Sequence, residues 1–146
     1  MFPEISVGAG ALFGLSGLVL LMPPRWVAGL LLAVLVHELG HIFAIRALGE
    51  RVLAIRFSLR GAKIETGYME PGKEALCALA GPGAGGILMF LWPVFPVLAL
   101  CAGVQTLFNL LPLPGFDGAR IVHSLAVLWK EKFVAKGRNS VYNRQD

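Results

Sequence analysis

Between residues 75 and 116 the chain carries no Asp, Glu, Lys or Arg, and between residues 5 and 24 it carries none either. A soluble domain coats itself with charge on about a quarter of its residues. Here 15% are charged and 56% hydrophobic, and the charged ones are confined to a few short stretches. A bilayer span needs roughly 20 apolar residues, and these blocks are long enough. The chain reads as an integral membrane protein.

Four apolar segments follow one another, at about residues 6–22, 26–48, 75–92 and 93–111. Pro23 and Pro24 separate the first pair, and Pro93 and Pro96 the second, as tight helical hairpins require. The first block has no positive n-region and no small-residue cleavage pattern, so it reads as a retained span and not a signal peptide. Residues 49–74 are polar and mixed. Within them 51–59 reads RVLAIRFSL, Gly61 interrupts, and 62–68 reads AKIETGY; β-branched and aromatic residues at this density predict a short hairpin. After Leu111 the PLPGFDGAR stretch breaks the helix. Residues 119–132 have helical spacing at Ile121, Val122, Leu125, Leu128 and Trp129 but are too short and polar to span. The expected architecture is an α-helical polytopic membrane protein with about four transmembrane helices and a small β element on the cytoplasmic side. Residues 1–132 form one membrane-embedded domain and 133–146 a frayed hydrophilic tail.

Four spans place the N-terminus, residues 49–74 and the C-terminal region on one side. Twelve of the thirteen Lys and Arg residues fall on or beside that side, with Arg25 alone on the other. The positive-inside rule makes it cytoplasmic, so both termini are expected there. The net charge of +4 is explained by this asymmetry and does not call for nucleic acid. The series Arg51, Arg56, Arg60 and Lys63 reads as a surface on anionic lipid. Cys77 and Cys101 lie in apolar segments with no CxxC spacing and read as small packed residues.

The second apolar segment contains His37-Glu38-Leu39-Gly40-His41. Residues i and i+4 share a helix face, so His37 and His41 point together, with Glu38 inside an arc of about 100°. Two imidazoles one turn apart can bind one zinc ion, and the adjacent carboxylate can handle the proton of a water activated there. Ionisable groups inside a membrane are costly and usually functional.

A catalytic zinc site takes a third protein ligand and leaves a position open. Asp117 and His123 are the candidates. Asp117 follows a turn broken by two prolines and Gly115, and irregular backbone at membrane depth is tolerated where it lines a cavity. The spacing leaves open whether Asp117 is a ligand or the N-cap of the following helix. His123 reads as an interfacial helix residue. Gly81 and Gly85 are spaced for close helix packing.

HELGH together with NLLPLPGFDGAR resembles the paired signature motifs of the site-2 protease family of intramembrane zinc metalloproteases. Ala80-Gly81-Pro82 resembles that family's Gly-Pro step. Order, spacing and length are most like the bacterial branch that includes the stage IV sporulation protein FB. The resemblance covers about residues 26–128 and implies zinc ligands His37, His41 and Asp117, one zinc per chain, and Glu38 as the catalytic acid/base. It places Asn109 near metal and substrate, against the simpler role of an interhelical hydrogen bond. Within these 146 residues neither the PDZ domains of the larger members nor the further spans usual in the sporulation branch are expected.

The function expected is hydrolysis of a peptide bond within or next to a membrane-embedded segment of a protein substrate, such as a membrane-bound transcription-factor precursor. The partners expected are that substrate, the bilayer of a bacterial cytoplasmic membrane and regulatory membrane proteins. A strand from residues 51–68 is expected to pair with the unwound substrate. The alternative is a non-catalytic zinc-stabilised scaffold or partner-binding protein, which has no need of Glu38. A zinc permease would want polar residues along a full transmembrane path, which these segments do not offer.

Overall fold

The computed structural model of the chain describes residues 3–59 and 61–142. The elements run β1 (Glu4–Val7), α1 (Ala9–Leu21), α2 (Pro24–Ala47), β2 (Val52–Ser58), β3 (Gly61–Thr66), α3 (Pro71–Leu88), a 3-10 turn (Met89–Leu91), α4 (Pro96–Asn109) and α5 (Asp117–Tyr142). Proline starts α2, α3 and α4 within their first two residues, where its missing N–H costs nothing and its fixed φ suits the helix.

Two of the four expected spans reach membrane-crossing length among the described residues: Pro24–Ala47, and Pro71–Leu91 with the 3-10 turn included. The helices α1 and α4 have 13 and 14 residues, or about 20 Å each at 1.5 Å per residue. The first apolar segment is shorter as a helix than expected because its opening residues Ser6 and Val7 belong to β1. Hydropathy alone does not separate a strand from a helix. At the other end, α5 runs through Tyr142, well into the stretch expected to fray; residues 143–146 lie outside the described ones.

The expected hairpin is present as β2 and β3, antiparallel, and β1 joins it parallel to β2. The order β1-β2-β3 makes β2 the centre of a three-stranded sheet. Ile5, Ile55 and Ile64 are register partners and line one face. On the other, Glu65 pairs with Arg56 at 3.2 Å and with Lys63 at 3.5 Å. Arg60 lies outside the described residues.

Ile55 and Ile64 pack against a core of Ile45, Val52, Met69 and Cys77, joined by Ile42 of α2. This fixes the sheet beside the last turns of α2. A second core of Ala33, Cys101 and Ala102 joins α2 to α4. Small residues let these helices approach closely: a Cβ on Gly40 of α2 would stand 2.6 Å from the Ala80 carbonyl oxygen of α3. The two cysteines are buried and unpaired. The outside, by contrast, is apolar, with Phe13, Leu20, Leu21, Phe43 and Phe90 between 75% and 85% exposed.

Candidate metal centre

The side chains of His37 and His41 leave the same face of α2 and are both buried. Asp117, the first residue of α5, is buried against them. It arrives there through the turn after α4, where Gly115 takes φ +97°, a conformation that costs a residue with a Cβ. Gly118 is equally constrained, since a Cβ there would overlap the Leu110 and Leu111 carbonyl oxygens.

Three atoms meet at the centre. The Oδ2 of Asp117 lies 3.1 Å from Nε2 of His37 and 3.1 Å from Nε2 of His41, and the two Nε2 atoms are 3.1 Å apart. Among the described residues these three could hold a metal ion. A tetrahedral site with bonds of about 2.0–2.1 Å spaces its ligand atoms roughly 3.3 Å apart, close to the edges of this triangle.

The proton inventory points the same way. Nδ1 of His41 is 2.7 Å from the Cys77 carbonyl oxygen. A carbonyl only accepts, so Nδ1 carries the hydrogen and Nε2 of the neutral ring carries a lone pair. That lone pair faces a carboxylate oxygen and another imidazole nitrogen. His37 can offer at most one proton to the triangle while neutral, and its Nδ1 is buried with no hydrogen-bond partner among the described residues. A cation at the centre satisfies all three electron pairs together, so the residues fit a metal.

One stripe of α3 supports the centre. Glu74, Cys77, Gly81 and Gly85 recur at helical spacing. Glu74 reaches Arg120 of α5, and the Cys77 carbonyl orients His41. A Cβ on Gly81 would overlap the His41 ring, and one on Gly85 would stand 2.5 Å from Oγ1 of Thr106 on α4. The two glycines thus serve two different neighbours. Pro82, next to Gly81, cannot donate to the carbonyl four residues back, which disturbs α3 where its backbone meets His41.

Glu38 is half-buried beside the histidines. Both carboxylate oxygens of Asp117 are engaged, Oδ2 by the imidazoles and Oδ1 by Arg120 at 3.6 Å. His123 is exposed on α5 and stands apart from the trio. Asn109, the last residue of α4, donates its side-chain amide to the Gln105 carbonyl oxygen at 3.2 Å, within its own helix.

The solved structure of the Site-2 Protease from Methanocaldococcus jannaschii superposes with a TM-score of 0.71 at 22% sequence identity, over 89% of this chain and 70% of that one. The chain has the fold of that protein. No family model matches the sequence, and no curated protein matches it. The fold likeness therefore stands beside the geometry of the trio as a separate observation.

Sequence reasoning singled out His37, Glu38, His41 and Asp117. It passed over Arg120 and Glu74, and it took Gly81 as a packing glycine and part of a Gly-Pro step without linking it to His41. The available signal was the stripe Glu74, Cys77, Gly81, which continues a helical period from a charged residue into an uncharged span.

Proposed function

We propose that the chain is an intramembrane zinc metalloprotease that hydrolyses a peptide bond within or next to a membrane-embedded segment of a substrate protein. The observation that carries this is the buried triangle of His37, His41 and Asp117 ligand atoms, with an uncoordinated carboxylate, Glu38, on the adjoining position of α2. A purely structural zinc site closes with a fourth protein ligand; this trio has none among the described residues.

Zinc held by the trio supplies Lewis acidity toward water and toward a scissile carbonyl. Glu38 accepts the proton of the attacking water and delivers it to the leaving amine. The Cys77 carbonyl holds His41 in the tautomer that presents Nε2. Asn109 binds substrate with the face its own helix leaves free.

In this reading α1 and α4 are also membrane spans, completing four, and residues 1–132 form the embedded domain. Both termini and the sheet are cytoplasmic, in keeping with the partition of Lys and Arg. His41 then lies about 9 Å of helix from the cytoplasmic end of α2. A helical substrate must be unwound before its amides are open to attack. The central strand β2 is paired on both edges, so it cannot be the docking strand that the sequence allowed. The outer edge of β3 takes that role by strand addition. The resemblance to the sporulation branch makes a membrane-bound transcription-factor precursor the substrate class to try first.

The test is direct. The purified full chain is assayed for zinc, then incubated with membrane-anchored precursor proteins with and without chelator. Cleavage that chelator abolishes and zinc restores is the expected result. Zinc binding without cleavage of any precursor by a protein with Glu38 intact would favour the scaffold alternative.

A further inference from the structure

We infer that Arg120 is a positioning residue that holds Asp117 to a single coordinating oxygen and so keeps one position at the metal open. The inference rests on the metal centre proposed above. Arg120 sits three residues after Asp117 on α5, so its side chain returns over the same face. Its Nη1 is 3.6 Å from Oδ1 of Asp117, and its Nε is 3.7 Å from Oε1 of Glu74 on α3. Two different nitrogens of one guanidinium thus reach two carboxylates on two helices. These are the separations of ion pairs, and the planar fork is suited to such a bridge in a way a point charge is not.

The consequence lies with Asp117. Its Oδ2 already faces both histidines. A carboxylate whose second oxygen is unrestrained can turn and offer both oxygens to one cation. Arg120 draws Oδ1 toward α3, away from the triangle. Glu74 anchors the guanidinium from the far side, so that it cannot follow Asp117 inward. Three ligand atoms are then presented where four would otherwise be available, as a catalytic site requires.

This role predicts an effect of unusual sign. A cation beside a metal site opposes metal binding, and a second carboxylate oxygen strengthens it. Arg120→Ala should therefore bind zinc at least as tightly as the parent chain, while turnover falls by about 10- to 100-fold, the usual reach of outer-shell partners. A residue that merely braced the fold would lower zinc affinity and thermal stability together.

Cobalt substitution reads the coordination itself. Four-coordinate cobalt(II) has intense visible bands, and these weaken and move to shorter wavelength as coordination number rises. The expected result is that spectral change in cobalt-loaded Arg120→Ala, smaller in Glu74→Gln, and intermediate in Arg120→Lys, which keeps the charge without the fork. If Arg120→Ala fails to fold, Arg120→Gln takes its place with the same expected shift. A spectrum identical to the parent's, or weakened metal binding with a lowered unfolding temperature, would overturn the positioning role. A parent chain that binds no cobalt or zinc at all would instead overturn the metal-centre reading on which it rests.

Discussion

Gly81 of α3 lies against the imidazole of His41 so closely that a Cβ would stand 2.5 Å from Cε1 and overlap Nε2. The ring is backed by main chain and clamped through Nδ1 to Cys77, so it has no room to yield. Gly81→Ala should therefore displace the ring and lower zinc affinity by about 10- to 100-fold. Gly83, two residues on, faces open space: a Cβ there would meet nothing within 4 Å. Gly83→Ala should keep full zinc and be neutral or slightly stabilising, as alanine is in a helix interior. Zinc titration of the two variants side by side checks the contrast.

Asp117 is the proposed ligand whose role its spacing in the sequence left open. The parent chain should contain about one zinc per molecule by elemental analysis. Asp117→Ala should lose most of it, because two histidines without the carboxylate make an incomplete site. An Asp117→Ala protein with full zinc and normal cleavage would remove Asp117 from the centre.

Glu38 is predicted to move protons and not to bind metal. Glu38→Gln keeps shape and hydrogen bonding but cannot accept the proton. It should retain zinc and substrate binding while turnover falls by about 10²- to 10⁴-fold. Single-turnover cleavage beside zinc analysis separates the two effects.

What the sequence made legible was what one stretch of chain determines by itself. The i,i+4 histidines fixed a shared face on α2, and the prolines marked where α2 and α4 begin. The β-branched and aromatic residues on either side of Gly61 disclosed β2 and β3. The strand β1 was hidden because its four residues merge with the apolar run of α1, and its partner is β2, across a whole helical hairpin. The Arg120 bridge was hidden for the same kind of reason: Glu74 and Arg120 are 46 residues apart and meet only when α3 packs on α5. The asparagine of the motif could be located, but the only hydrogen bond its amide makes among the described residues lies inside its own helix.

The sidedness of the chain can be tested by thiol labelling. The strands β1 and β2 are neighbours, and α1 and α2 connect them, so if α2 crosses a bilayer then α1 must cross back. A single cysteine at Glu70, with Cys77 and Cys101 removed, should resist an impermeant reagent in intact cells and label after lysis. A cysteine at Arg25 should label from outside. The reverse pattern would invert the orientation.

Proline scanning tests the docking strand. Proline removes an amide donor and fixes φ. Substitutions along β3 should include positions that abolish cleavage while alanine there does little and zinc stays bound. If all folded proline variants of β3 cleave normally, the unwinding of substrate belongs to the helices.

Ile55 and Ile64 pack against the cluster of Ile45, Val52, Met69 and Cys77, which Ile42 also meets, and this sets the sheet beside the last turns of α2. Along the chain's own path, β1 and α1 laid end to end measure about 33 Å, nearly the roughly 36 Å of α2. The strand β1 thus supplies the length by which α1 falls short of α2. Helices satisfy their own amides, whereas a strand at the margin of a sheet leaves a row of them bare, and hydrocarbon offers such groups nothing. Wherever such a row meets the edge of a bilayer, it must draw in water or take up another length of chain. The hydrolysis proposed here would consume both.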